Sequence, residues 1–134
     1  MKKWILAIVL GILCLVVPTM ASAAEISSDD MIMEFSANKV WIDKGNLCVK
    51  GTFYNKRNDL TITKLNDMVL YITLKQKDGT ESVVTKKPVK KPMLKIRAGG
   101  SKSTTLNLGP FEGTWDSWVV NSDCVFTYIN GASW

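Results

Sequence analysis

Leu47-Cys48-Val49-Lys50-Gly51-Thr52-Phe53-Tyr54-Asn55 is the stretch from which the fold of this chain can be read. Leu47, Val49 and Phe53 share one parity and Lys50 and Thr52 the other, the two-residue period of a strand with one buried face. Just upstream, Val40-Trp41-Ile42 leads into Asp43-Lys44-Gly45-Asn46, a turn of residues that accept unusual backbone angles, so the two runs form a hairpin. Downstream, Met68, Leu70, Ile72 and Leu74 share one face and Tyr71, Thr73 and Lys75 the other. Lys77-Asp78-Gly79 then turns the chain back into a return strand from Glu81 to Thr85.

The remaining segments fit around this centre. Met31 to Phe35 could begin a first strand, and Leu60-Thr61-Ile62 reads as a short extended piece before the strand that opens at Met68. Between Lys86 and Arg97, Pro88 and Pro92 each remove a backbone donor and confine the segment to an edge or a loop. Ala98-Gly99-Gly100-Ser101 is a turn, and Thr104, Leu106 and Leu108 alternate as another strand. Trp115 to Val120 and Cys124 to Ile129 are two apolar runs, predicted to form a closing hairpin through Asn121-Ser122-Asp123. Helical spacing is absent, and six to eight short strands separated by turn signals describe an all-β sandwich or small barrel.

The first residues are expected to leave before folding. Lys2-Lys3, the apolar run Trp4 to Val17, Pro18 and Ala21-Ser22-Ala23 have the order of a cleavable signal peptide, residues 1–23. Cys14 is not a lipoprotein cysteine, since bulky Leu13 precedes it and Leu15-Val16-Val17 continue the hydrophobic run. No stable membrane span is expected after cleavage, and the localisation implied is secreted, in the medium or on the cell wall. Removing 23 of 134 residues leaves one domain: a leader or first edge strand over 24–37 and a single sandwich over 38–134. The formal charge of +5 falls to about +3 with Lys2 and Lys3 gone, mildly basic rather than nucleic-acid-like. In an oxidising compartment the two remaining cysteines, Cys48 and Cys124, are predicted to form a disulfide, and closing so long a loop is worth about 4 kcal/mol in the chain-entropy account. Parity puts Cys48 on the face of Lys50 and Thr52, so such a bridge would lie outside the sheet unless a bulge shifts the register; two free thiols are the alternative.

Val49 to Asn55, a polar link, Met68 to Leu74, Asp78-Gly79 and Ala98-Gly99-Gly100-Ser101 before a Thr-rich strand together resemble the bacterial FxLYD-type module over residues 38–108. The same opening is similar to the S-layer-associated SLAP module. At the positions that name the first family the chain has Ile72 for Phe, keeps Leu74, and has Lys75 for Tyr and Gln76 for Asp. The resemblance implies an immunoglobulin-like antiparallel β-sandwich on an exported protein, with an accessory, binding or surface-assembly role and no catalysis. Gly51, Asn55, Asp78 and Gly79 match through turn and strand geometry alone.

The residue inventory points the same way. With no histidine in the chain, Ser-His and Cys-His nucleophile pairs and most zinc sites are excluded. Cys48 and Cys124 are too far apart for a CxxC redox site. Asp29, Asp30, Asp59, Asp67, Asp78, Glu112, Asp116 and Asp123 are spread over turn-like positions, where Asp is preferred for local hydrogen bonding. Neither a metal nor a cofactor is expected, and no enzyme.

Two clusters could bind. Lys86, Lys87, Lys90, Lys91, Lys95, Arg97 and Lys102 place a dense positive stripe on one edge, suited to an anionic cell-wall polymer, lipid headgroups or extracellular DNA held through phosphate charge without sequence-specific readout. The plain alternative is that lysines and prolines on an edge keep sheets from aggregating. Trp115, Trp118 and Trp134, with Phe126 and Tyr128 nearby, crowd the C-terminal end and could stack on sugars or anchor another surface protein; their plain alternative is core packing. The function expected is a secreted, non-enzymatic binding or surface-accessory module. Assembly through sheet edges or the aromatic end is the alternative, and the oligomeric state is left open.

Overall fold

The computed structural model describes residues 23–88 and 91–131, so the expected signal segment up to residue 22, Lys90 and Trp134 lie outside the described residues. The strands in chain order are β1 (Glu25–Ser27), β2 (Met33–Asp43), β3 (Asn46–Asn55), β4 (Leu60–Lys75), β5 (Glu81–Lys86), β6 (Ser101–Pro110) and β7 (Ser117–Asn130). They form two antiparallel sheets, one ordered β1-β7-β4-β5 and the other β2-β3-β6. The inner faces of these sheets make one core, so the fold is an all-β sandwich.

The β2–β3 hairpin follows from its turn. Lys44 (φ 52°) and Gly45 (φ 82°) both adopt positive φ, the two-residue turn whose twist matches the strands it joins, and it fixes Asp43 opposite Asn46. Leu47, Val49 and Phe53 are then completely buried. Gly51 shares their inward parity and has no side chain because none fits. A Cβ there would stand 2.4 Å from Phe35 Cζ and 2.6 Å from the Ser36 carbonyl oxygen. The Phe35 ring instead tilts against Phe53 with centroids 4.9 Å apart.

Strand β4 is longer than the alternation over Met68 to Lys75 suggests. It runs for 16 residues, with register shifts between Ile62 and Lys64 and between Leu65 and Asp67. Each shift inserts a residue, so Leu60, Ile62, Leu65, Met68, Leu70, Ile72 and Leu74 are all buried despite a broken period. The Leu60 to Ile62 piece is therefore the first part of the central strand.

The expected hairpin at Asn121-Ser122-Asp123 is corrected. Those residues pair with Tyr71, Leu70 and Val69 inside one continuous 14-residue strand, β7. Parity explains it: Trp118, Val120, Ser122, Cys124, Phe126 and Tyr128 all lie on one face, and the polar triplet never breaks that alternation.

The Cys48–Cys124 disulfide is also corrected, since both thiols are free. Cys48 sits on β3 in register with Trp41 and Asn107, buried but outside the core cluster, on the outer side of the three-stranded sheet. Cys124 sits on β7 of the other sheet and packs inward against the core. With one side chain facing away from the sandwich and the other into it, no bridge can close.

Candidate functional site

The basic segment is shaped by β4. β5 ends at Lys86, opposite Leu70, and two later points also bond to β4: Leu65 N donates to Lys91 O at 2.9 Å, and Ile62 and Ile96 exchange bonds of 3.0 and 2.9 Å. Leu94 and Ile96 drop into the core and are almost fully buried, which leaves Lys95 and Arg97, of opposite parity, exposed. Pro88 is buried and Pro92 exposed, so the missing donors fall where the ladder with β4 is interrupted.

Asn55 fixes the far end. Its side-chain amide donates to the carbonyls of Leu60 at 3.0 Å, Ile96 at 3.1 Å and Arg97 at 3.1 Å, and its backbone N–H donates to Gly100 O at 2.9 Å. Arg57 N donates in turn to Asn55 Oδ1 at 3.1 Å. A buried polar side chain with both ends bonded is stable in the core, and here it joins β3, β4 and the basic segment. Sequence reading gave Asn55 only a geometric match; three acceptors meeting at one amide come from segments far apart in the chain.

Of the stripe residues, Lys87, Lys95, Arg97 and Lys102 are exposed, while Lys86 and Lys91 are half-buried. No carboxylate interrupts them, because the sequence between Glu81 and Glu112 contains neither Asp nor Glu. The ion pairs Lys56–Glu34 (3.0 Å), Arg57–Asp59 (2.5 Å) and Lys75–Glu81 (3.7 Å) involve none of Lys86, Lys87, Lys91, Arg97 and Lys102. Met93, 88% exposed, projects among these charges.

The aromatic cluster has a different placement. Trp115 and Trp118 are half-buried and pack on the core, Trp115 with its ring centroid 6.4 Å from that of Phe111. Phe126 is fully buried, with Tyr128 at 6.3 Å. Trp118 stands opposite Leu74 on the β7 side of β4, whereas Lys91 and Ile96 lie opposite Leu65 and Ile62 on the other side. The tryptophans and the basic stripe are thus not brought together.

Most of the carboxylates engage hydrogen-bond partners within the fold. Asp29 accepts from Met31 N at 2.9 Å, Asp67 from Met68 N at 2.9 Å, Asp78 from Thr80 N at 2.9 Å and Asp116 from Lys77 N at 2.6 Å. Hydrogen bonds from Thr80 hold the Asp78 carboxyl below its ordinary range, and the bond from Arg57 does the same for Asp59. Tyr71 is raised chiefly by its hydrogen bond to Asp123. Burial pushes the Cys124 thiol up to about 11, so it is a poor nucleophile. Among the described residues no group of three or more His, Cys, Asp or Glu could hold a metal ion. Among them, too, no helix is long and apolar enough to cross a membrane.

Comparison with known proteins gave no match to a family model, to a curated protein or to a solved structure.

Proposed function

We propose that this chain is an exported, non-enzymatic, immunoglobulin-like binding module that holds phosphate-bearing anionic polymers of the cell envelope along its basic edge. The observation that carries the reading is the run from Lys86 to Lys102, free of acidic residues, with Lys91 and Ile96 bridged to β4 and Lys102 on the edge strand β6. A row of cations on an ordered backbone binds repeating anions by charge, with little demand on their covalent detail. Buried Leu94 and Ile96 turn Lys95 and Arg97 outward, and the likeness to FxLYD and SLAP modules fits an accessory role at a surface.

The test is retention on isolated cell walls and on vesicles of phosphatidylglycerol, each measured against salt. Wall polymer and lipid are separate arms of that experiment. Retention lost between roughly 50 and 500 mM salt, and weakened by Lys87→Glu with Arg97→Glu, supports the reading. Retention absent at low salt on both surfaces overturns it.

A further inference from the structure

One flank of the sandwich is open. Strand β1 covers β7 only at Phe126 to Tyr128, so from Ser117 to Val125 β7 is hydrogen-bonded to β4 on one side and, among the described residues, has no strand on the other. Facing it, β2 is the edge of the second sheet. Between them lies a groove of about 710 Å³. Its inner wall is apolar: Met33, Phe35 and Ala37 from β2, and Trp118, Val120 and Cys124 from β7, all packed on the core. Its rim is acidic. Asp30, Glu34 and Asp123 line it, with no lysine or arginine among the lining residues. Glu34 is bonded to Lys56 at 3.0 Å, and Asp123 accepts from Tyr71 on the outer face of its sheet.

The geometry points to a strand-accepting site: the groove takes an extended segment of a partner protein in which apolar and basic residues alternate. The free edge of β7 supplies about 30 Å of main chain, whose alternate residues present N–H and C=O groups to an added strand. A strand seated there turns every second side chain inward over Phe35, Val120 and Cys124, where apolar groups are favoured. The intervening side chains point outward toward Asp123 and Asp30, where lysine or arginine gains attraction and glutamate meets repulsion. The site is on the other side of β4 from the basic edge, so it stands or falls independently of the polymer-binding reading.

The probe is a capped peptide of alternating valine and lysine, about nine residues long to match the free edge. It is added to the protein isolated from its producing cells, and amide hydrogen exchange is followed residue by residue. Alternate amides from Ser117 to Val125 should slow at least ten-fold on peptide addition while those of β5 stay unchanged. A peptide with proline at its centre, or with glutamate in place of lysine, should give no protection. Asp30→Lys and Asp123→Lys should each weaken binding by about three-fold, as expected for an exposed charge pair. Protection at β5 or β6 instead of β7 overturns the proposal. So does protection, before any peptide is added, of those alternate β7 amides that face away from β4: independent of protein concentration, it would make the occupant the chain's own leader; rising with concentration, it would make it a second copy.

Discussion

Gly51 lies beneath the Phe35 ring, and lack of space rather than backbone angle sets what a substitution does. Gly51→Ala puts a methyl group into both the ring and the Ser36 carbonyl, and should lower unfolding stability in urea by about 1–3 kcal/mol, the usual effect of overpacking. Adding Phe35→Leu should recover only part of that loss, because the Ser36 oxygen at 2.6 Å belongs to the backbone and stays. Asn55 is the polar counterpart. Asn55→Asp replaces an amide that donates to three carbonyls by an acceptor, and should destabilise by about 3 kcal/mol or more at neutral pH, read from the midpoint of chemical unfolding. At Cys124 the sign follows from burial. Because the thiol is raised from 9.0 to about 11, its protonated form is favoured in the folded protein, so its contribution is whole below pH 9 and is lost as pH rises through 11. Stability of the parent protein should therefore fall relative to Cys124→Ala over that interval, by up to roughly 2–3 kcal/mol, in paired unfolding curves. With Cys48 and Cys124 unbridged, reductant should leave the melting temperature unchanged.

Among the elements, β7 gives the sharpest contrast between pattern and structure. Ser122 lies well inside the β7–β4 ladder opposite Leu70, so Ser122→Pro, which pins φ near −65° and takes a backbone donor out of the strand, should lower the melting temperature by about 5 °C or more. A turn at that place would accept the same change. The β2–β3 hairpin and the faces of β3 and of the second half of β4 were legible because alternation and turn chemistry agree there. The first half of β4 was not. Its two bulges carry Leu60, Ile62 and Leu65 to the core at uneven spacing, and such insertions depend on what the neighbouring strand offers. In β7, Asn121-Ser122-Asp123 has the composition of a turn, but the even-numbered face continues through it. Tertiary pairing with β4 outweighed local propensity. The lysines of the basic stripe could be read from sequence. The support beneath them, Leu94, Ile96 and the Asn55 amide, could not, since its partners meet only after folding.

For the whole molecule, the two candidate surfaces are on opposite flanks of the same sheet, cations beside β5 and carboxylates at the rim of the β2–β7 groove. Ionic strength should act on both, whereas charge reversal at Lys87 and Arg97 should weaken wall or lipid retention and leave peptide protection at β7 intact. That separation can be measured by running both assays on the same variant. The Asn55 clamp also affects how any anion would be met. Two of its carbonyl bonds fix the path of the Ile96–Arg97 backbone and the third ties it to Leu60, so this segment is stiff before any guest arrives. Association would then order few main-chain torsions, and calorimetry should find little unfavourable conformational entropy, with counterion release showing as a fall in affinity as salt rises.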